Sequence, residues 1–227
     1  MILSLETSTS VCSMALHQEG LCLAEQIYNL PKSHATLMPE VIRQLLDNLN
    51  VQRSALEAIA ISDGPGSYTG LRIGSATGKG LCSALEIPLI SVNSLDIMIE
   101  EMRPIVSDIS YIAPMIDARR MEVYMKLVNE KGSELKDTRA VILTPDLFDN
   151  YIEYPILLVG DGARKCEGFI DHPHLKIVPD IYPRAQCMGI LAFQKFKEGF
   201  FENLQDFEPN YLKVFHTMPS KNPLGNL

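Results

Sequence analysis

The run Ser62-Asp63-Gly64-Pro65-Gly66-Ser67-Tyr68-Thr69-Gly70-Leu71-Arg72-Ile73-Gly74 holds the residue types and spacing best suited to chemistry in this chain. It follows an apolar stretch, Leu56 to Ile61, and opens a segment that reads as a helix to about Leu85. A strand that empties through a glycine-rich turn into a helix start leaves backbone N–H groups unpaired beside the positive end of the helix dipole. Such a turn can cradle a phosphate or carboxylate, with Gly64, Gly66, Ser67 and Gly70 as its candidate residues and Arg72 as a further phosphate contact. It is not a Walker loop, because no Gly-Lys-Ser/Thr closes it and Gly78-Lys79-Gly80 falls inside the helix. Nor is it a dinucleotide fingerprint. A tight turn that uses Gly64 and Gly66 for backbone shape alone fits the same residues.

The other reactive side chains form no constellation. Five cysteines (Cys12, Cys22, Cys82, Cys166, Cys187) are odd in number and far apart, as reduced thiols of a cytoplasmic protein are. His34 reads as a helix-start residue behind Ser33, a good N-cap. His172 and His174 flank Pro173 in what reads as a solvated turn, His17 sits at an exposed-looking strand end, and His216 lies near the C-terminus. The acidic pairs Glu100-Glu101 and Asp117 with Glu122 read as solvated positions. A net charge of −8 argues against this chain alone gripping a nucleic-acid backbone, so any contact with RNA is expected to come mostly through a more basic partner. No apolar run approaches the roughly 18 residues of a membrane helix. The strand-like Ile2-Leu3-Ser4-Leu5 has no basic segment before it, which argues against a secretory signal.

Positioning the turn requires a mixed α/β scaffold, and a chain of 227 residues is long enough for two lobes. The first lobe reads as strands at Met1–Leu5, Cys12–Gln18 and Leu21–Tyr28, then a helix at His34–Asn48. A buried strand (Leu56–Ile61), the glycine turn, a second helix and a strand at Pro88–Val92 complete it. Gly20 marks the hairpin between the second and third strands. The opening recurs later. Ile116 to Met125 echoes Leu5 onward, Gly132 echoes Gly20, Arg139 to Leu143 is the third strand, and Pro155 to Gly162 echoes the run ending at Gly64. Echoes kept in order indicate an internal duplication, each half being three strands, helix, strand, helix around a shared cleft. Pro104 and Ser107-Asp108 mark the boundary, giving lobes at 1–106 and 107–217 and a polar tail at 218–227.

Two helices of the first lobe offer a contact surface. In the first, Leu37, Met38, Val41, Ile42, Leu45, Leu46 and Leu49 form adjacent apolar rows, wider than a helix lying on a sheet requires. One row (Met38, Ile42, Leu46, Leu49) suits the lobe's own sheet and the other (Leu37, Val41, Leu45) suits a partner; equally, both rows serve as core. In the second helix Gly70, Gly74, Ala76, Gly78, Gly80 and Ala84 are small, and each glycine costs about 1 kcal/mol of helix stability against alanine. Small residues admit a close neighbour, without saying which.

Three stretches together carry a resemblance: Gly64-Pro65-Gly66-Ser67-Tyr68-Thr69-Gly70-Leu71-Arg72-Ile73-Gly74, the opening Leu5-Glu6-Thr7-Ser8, and Asp117-Ala118-Arg119-Arg120-Met121-Glu122-Val123-Tyr124. In these the chain resembles the bacterial TsaB (YeaZ) family over most of its length. The resemblance implies the duplicated two-lobe actin/Hsp70/sugar-kinase fold, with mixed sheets and flanking helices. It implies a non-catalytic scaffold in the making of N6-threonylcarbamoyladenosine on tRNA, partnered by the catalytic subunit TsaD and the ATPase TsaE. It also implies pairing through the first lobe's two helices, with TsaD or with a second copy as a homodimer. The interface residues are then Leu37, Val41, Leu45, Arg72, Ile73, Ala76, Thr77 and Gly80. No cofactor is expected to be tightly bound, although ATP or ADP at the partner interface is implied near Gly64 to Gly70.

The chemistry of the catalytic relative is expected to be missing. That relative opens Glu-Thr-Ser-Cys-Asp-Glu, whereas Glu6-Thr7-Ser8 is followed here by Thr9, Ser10 and Val11. Its metal-binding His-x-Glu-Gly-His is matched by Ser94-Leu95-Asp96-Ile97-Met98, so Ser94 and Met98 stand where histidines would, and neither suits a catalytic iron or zinc. Lys213 in Tyr211-Leu212-Lys213 stands where the family's closing segment has arginine, and lysine lacks the flat bidentate contact. The competing reading is a metal-dependent hydrolase or a nucleotide-binding phosphotransferase of the same superfamily.

Overall fold

The computed structural model describes residues 1–30, 34–104 and 108–213. Three strands, β1 (Ile2–Glu6), β2 (Cys12–Gln18) and β3 (Leu21–Tyr28), form an antiparallel meander. α1 (His34–Asn48) follows, then β4 (Ala58–Gly64), α2 (Tyr68–Leu85), β5 (Leu89–Asn93) and α3 (Ser94–Met102). β4 and β5 join parallel to β1, giving a first sheet of order β3-β2-β1-β4-β5. The second half repeats the plan with β6 (Tyr111–Asp117), β7 (Glu122–Asn129), β8 (Glu134–Ile142), β9 (Ile156–Val159) and β10 (Leu175–Val178). Its sheet order is β8-β7-β6-β9-β10, the first order over again. That match establishes a duplicated two-lobe fold, two mixed sheets with flanking helices, as expected.

Alternation along β1 explains the layering. Leu3 and Leu5 point to one face, where they meet Met38, Val41, Leu45 and Leu46 of α1, with α2 alongside over Ile59 and Ile61. Ile2 points to the other face with Ala58, Ala60, Ile90 and Val92, and these meet Met188 and Ala192 of α4 (Ala185–Glu198). The small Ala58 and Ala60 let α4 come close. The second sheet divides the same way. Ile112 and Ile116 of β6 pack on Leu95, Met98, Ile99 and Met102 of α3, while Ala113 and Met115 face outward.

Two features depart from the expected three strands, helix, strand, helix in each half. Two 3-10 turns, Asp149–Tyr151 and Asp161–Cys166, occupy the places where α1 and α2 stand in the first lobe. The loop around them covers the outer face of the second sheet with Leu143, Phe148, Ala163, Cys166 and Ile170. The helices α3 and α4 are also exchanged: α3, near the end of the expected first lobe, covers the second sheet, and α4, inside the expected 107–217 lobe, covers the first. The third strand expected at Arg139–Leu143 begins earlier, at Glu134. Residues 218–227 and Ser107 lie outside the described residues.

Candidate partner face and interlobe cleft

α2 has two sides with different work. Ser67 is its N-cap, accepting from the Gly70 N–H at 3.3 Å. Gly66, Gly70, Gly74 and Gly78 line the inner side. A Cβ at Gly70 would sit on the Thr7 carbonyl oxygen, one at Gly74 on the Thr7 hydroxyl, and one at Gly78 would stand 2.7 Å from Ile61. These glycines therefore let α2 lie directly on β4 and on the loop after β1. The outer side carries Arg72, Ala76 and Gly80, all exposed, with Ile73 and Thr77 half-buried beside them. A Cβ at Gly80 would meet nothing within 4 Å.

α1 does not share that outer surface as expected. Val41 and Leu45 are each 2% exposed and belong to the core over the first sheet, together with the row Met38, Ile42 and Leu46. Both rows are core, so Val41 and Leu45 are not on a free face. Leu37 is half-buried against the same cluster. The exposed face of α1 is polar, with Arg43 bound to Glu40 and to Asp47, each at 2.6 Å. The apolar rows were visible in the sequence, but the depth of the groove between α1 and its sheet was not.

The glycine turn leads from β4 into the floor of a cleft between the lobes, of about 1270 Å³. Two of its backbone donors are engaged within the first lobe. The Ser67 N–H donates to the Ser8 carbonyl at 2.6 Å, and the Gly70 N–H is held by its cap. A Cβ at Gly66 would strike Ser8, and Gly64, at φ +110°, lies under the Asn210 carbonyl. The turn thus clasps the loop after β1 and the segment at Asn210, whose N–H donates to the Asp63 carbonyl at 2.7 Å. Arg72 lies 4.3 Å over the Tyr68 ring, and Tyr68 stacks on Tyr211 at 4.7 Å.

Buried acids beneath the turn escaped the sequence reading. Glu6 is fully buried, and burial pushes its carboxyl up to about 7 against the lowering effect of bonds from Ser8 and Ser62. It accepts from the Ser8 N–H at 2.6 Å. Its second oxygen has no hydrogen-bond partner among the described residues, which suits a protonated acid. Asp63 is likewise raised to about 6, mainly by burial. An apolar run ending in an acid gave only a weak signal of this.

Three histidine expectations resolve differently. His34 opens α1 as expected and is buried, its Nε2 3.1 Å from the Thr9 carbonyl oxygen; Ser33 lies outside the described residues. His17 is fully buried rather than exposed, 3.1 Å from the Ser4 hydroxyl, with Gly189 of α4 against its ring. Burial lowers its pKa. His172 is buried too, 3.2 Å from the Tyr151 carbonyl oxygen, while Pro173 and His174 are exposed as the expected solvated turn requires. His216 lies outside the described residues. Ser94 and Met98 are fully buried in α3, Met98 within the apolar core. Among the described residues no three of His, Cys, Asp and Glu group as metal ligands.

The second lobe's wall of the cleft is built from the hairpin between β6 and β7. Asp117 pairs with Lys165 at 2.6 Å, and Glu122 pairs with Lys213, which also donates to the Ala118 carbonyl at 2.9 Å. Lys213 therefore clamps the hairpin without needing an arginine fork. Arg119 and Arg120 are exposed and hold φ of +66° and +52°.

Comparison with known proteins agrees with this geometry. The family model described as "TsaD: tRNA N6-adenosine threonylcarbamoyltransferase" matches residues 23–150. The tRNA threonylcarbamoyladenosine biosynthesis protein TsaB of Bacillus subtilis is 36% identical over 60% of this chain, which spans 58% of that relative's length. The TsaB of Buchnera aphidicola subsp. Schizaphis graminum is 30% identical over 82% of this chain and 89% of its own. The solved structure of YeaZ from Pseudomonas aeruginosa superposes with a TM-score of 0.79 at 30% identity, covering 93% of this chain and 99% of that one. This chain belongs to the TsaB (YeaZ) family.

Proposed function

We propose that this chain is a non-catalytic subunit in tRNA N6-threonylcarbamoyladenosine synthesis that supports a TsaD-like catalytic partner. The names of its TsaB relatives support the pathway. The observation that carries the mode of action is the outer side of α2, where Arg72, Ala76 and Gly80 leave a smooth, exposed ridge edged by Ile73 and Thr77. A helix of the partner packs closely on such a ridge, because small side chains let two backbones approach. The same ridge holds two copies together when the partner is absent. A TsaE-like ATPase completes the complex, an adenine nucleotide sits by the start of α2 at the partner interface, and tRNA is reached through the partner. The chain works in the cytoplasm; no helix among the described residues is long and apolar enough to cross a membrane.

Reconstitution tests the reading. The TsaD-like and TsaE-like subunits, the threonylcarbamoyl donor and tRNA are expected to give product only when this chain is present. Ala76→Arg is expected to leave its unfolding transition in place while abolishing self-association in sedimentation and modification in the assay. Full modification without this chain, or turnover by this chain alone, overturns the assignment and favours the hydrolase or phosphotransferase reading.

A further inference from the structure

We propose that Glu6 and Ser8 hold a monovalent alkali cation, sodium or potassium, beneath the glycine turn at the end of β1. The proposal stands apart from the partner reading above, because its test uses this chain alone.

The first observation is a group of buried oxygens without partners. Among the described residues, Glu6 Oε2, Ser8 Oγ and Asp63 Oδ1 are buried and make no hydrogen bond. Glu6 and Ser8 are fully buried. The three residues lie at the carboxyl ends of β1 and β4, just past the parallel pair Leu5–Ile61. Glu6 Oε1 accepts from the Ser8 N–H at 2.6 Å, so the chain curls around the carboxyl. This brings the Ser8 hydroxyl close enough to ease the acid, yet without an aligned bond of its own. Buried polar groups are normally paired, so several unpaired at one spot point to a guest that meets them together.

The second observation is the balance of charge. Asp63 acts on Glu6 by repulsion, and among the described residues no cationic side chain offsets Glu6. Asp63 is itself partly offset by Lys195, whose ammonium donates to the Ser91 carbonyl at 2.7 Å. Two carboxylates against one ammonium leave a single negative charge, which one univalent cation balances. A divalent ion would overshoot, and the described residues supply no third acid or histidine to share it. Ligands that are all oxygen select a hard cation.

The third observation is access and consequence. Ser8 lines the floor of the interlobe cleft, so an ion reaches the carboxyl from that side. The loop after β1 is also the seat of α2, with Gly66 lying on Ser8 and with Gly70 and Gly74 on Thr7. A cation held by Glu6 and Ser8 fixes that seat and takes the place of the proton that burial imposes on the acid.

Thermal unfolding of the full-length chain at constant ionic strength, in sodium, potassium or tetramethylammonium chloride, tests this. At pH 8 Glu6, at about 7, is mostly ionised. Sodium or potassium is then expected to raise Tm by about 5 °C over tetramethylammonium, which is too large to enter, and to saturate in the millimolar range. At pH 5 the difference is expected to vanish, because Glu6 and Asp63, the latter at about 6, are largely protonated. The Cys12 thiol that faces Glu6 from β2, at about 12, is neutral at both pH values. Glu6→Gln is expected to fold and to abolish the difference between salts. Ser8→Ala is expected to raise the cation concentration at half effect about tenfold, whereas Glu40→Gln, exposed on α1, changes neither. Crystals grown with thallium(I) in place of potassium are expected to show an anomalous peak between Glu6 and Ser8. The proposal is overturned by equal Tm in the three salts, by a difference that survives in Glu6→Gln or persists at pH 5, or by water alone at the site. If Glu6→Gln does not unfold cooperatively, an unchanged half-effect concentration in Ser8→Ala overturns it by itself.

Discussion

The two lobes share one sheet order yet close their outer faces by different means. Over the first sheet lie α1 and α2, fifteen and eighteen residues long. Over the second lie a loop and two 3-10 turns of three and six residues. The strand order thus persists where the covering layer does not. A sheet needs its apolar face removed from water, and Phe148, Leu143 and Ile170 achieve this from irregular backbone as Val41 and Leu45 do from a helix. What the loop cannot provide is a straight, rigid ridge. Among the described residues the first lobe offers one, along the outer side of α2, and there the partner surface is proposed.

The largest expected effect concerns the layer between the sheets. Ending the chain at residue 183 removes α4 and uncovers Ile2, Ala58, Ala60, Ile90 and Val92. Thermal unfolding is then expected to lose its cooperative transition; a sharp transition in the truncated chain would mean that the first lobe stands alone. The outer layers are compared by Val41→Asp and Phe148→Ala, followed by urea denaturation. A charge buried at Val41 is expected to cost about 4 kcal/mol, and the cavity at Phe148 about 3 to 4 kcal/mol. A much smaller loss at Phe148 would show the second lobe's cover to be loose.

A smaller effect separates the lobes by pH. Glu6 has a folded pKa of about 7, above its ordinary 4.5, so the folded state binds the proton more tightly than the unfolded chain. Stability is therefore expected to fall as pH rises from about 4.5 to 7, by up to roughly 3 kcal/mol for this group. Asp63, at about 6, adds a slope of the same sign. Glu6→Gln is expected to flatten the fall in a series of denaturation curves, and an unchanged slope would assign it to other groups. The smallest effects set the two sides of α2 against each other. Gly70→Ala, forced onto the Thr7 carbonyl, is expected to cost about 3 kcal/mol, whereas Gly80→Ala, facing open space, is expected to gain up to about 1 kcal/mol. Equal costs would mean that the outer side is packed as well.

Much of this was readable in the chain. The helix at His34–Asn48 and the strands at Cys12–Gln18 and Leu21–Tyr28 fall where hydrophobic period and turn residues put them. The echo of Gly20 in Gly132 announced the duplication, both glycines having positive φ, whereas Ser67, read there as part of a phosphate turn, is the N-cap of α2. Periodicity did not tell whether the second apolar row of α1 faces solvent or core, since Val41 and Ile42 read alike until the sheet beneath them is present. Nor did it reveal that His17 is buried, because α4, with Gly189 against the His17 ring, arrives from the far end of the chain. Arg119 and Arg120 were missed as strained positions, because arginine gives no local signal for positive φ.

The exchange of α3 and α4 has a consequence for biosynthesis. The first sheet is complete in sequence at Asn93, but the helix that seals its inner face ends at Glu198. During translation this half-made sandwich waits, greasy side open, while roughly a hundred further residues leave the ribosome, a period in which exposed apolar surface invites aggregation. The alanines at 58 and 60 keep that waiting surface small, and a nascent chain with larger side chains there is expected to lean more heavily on chaperones.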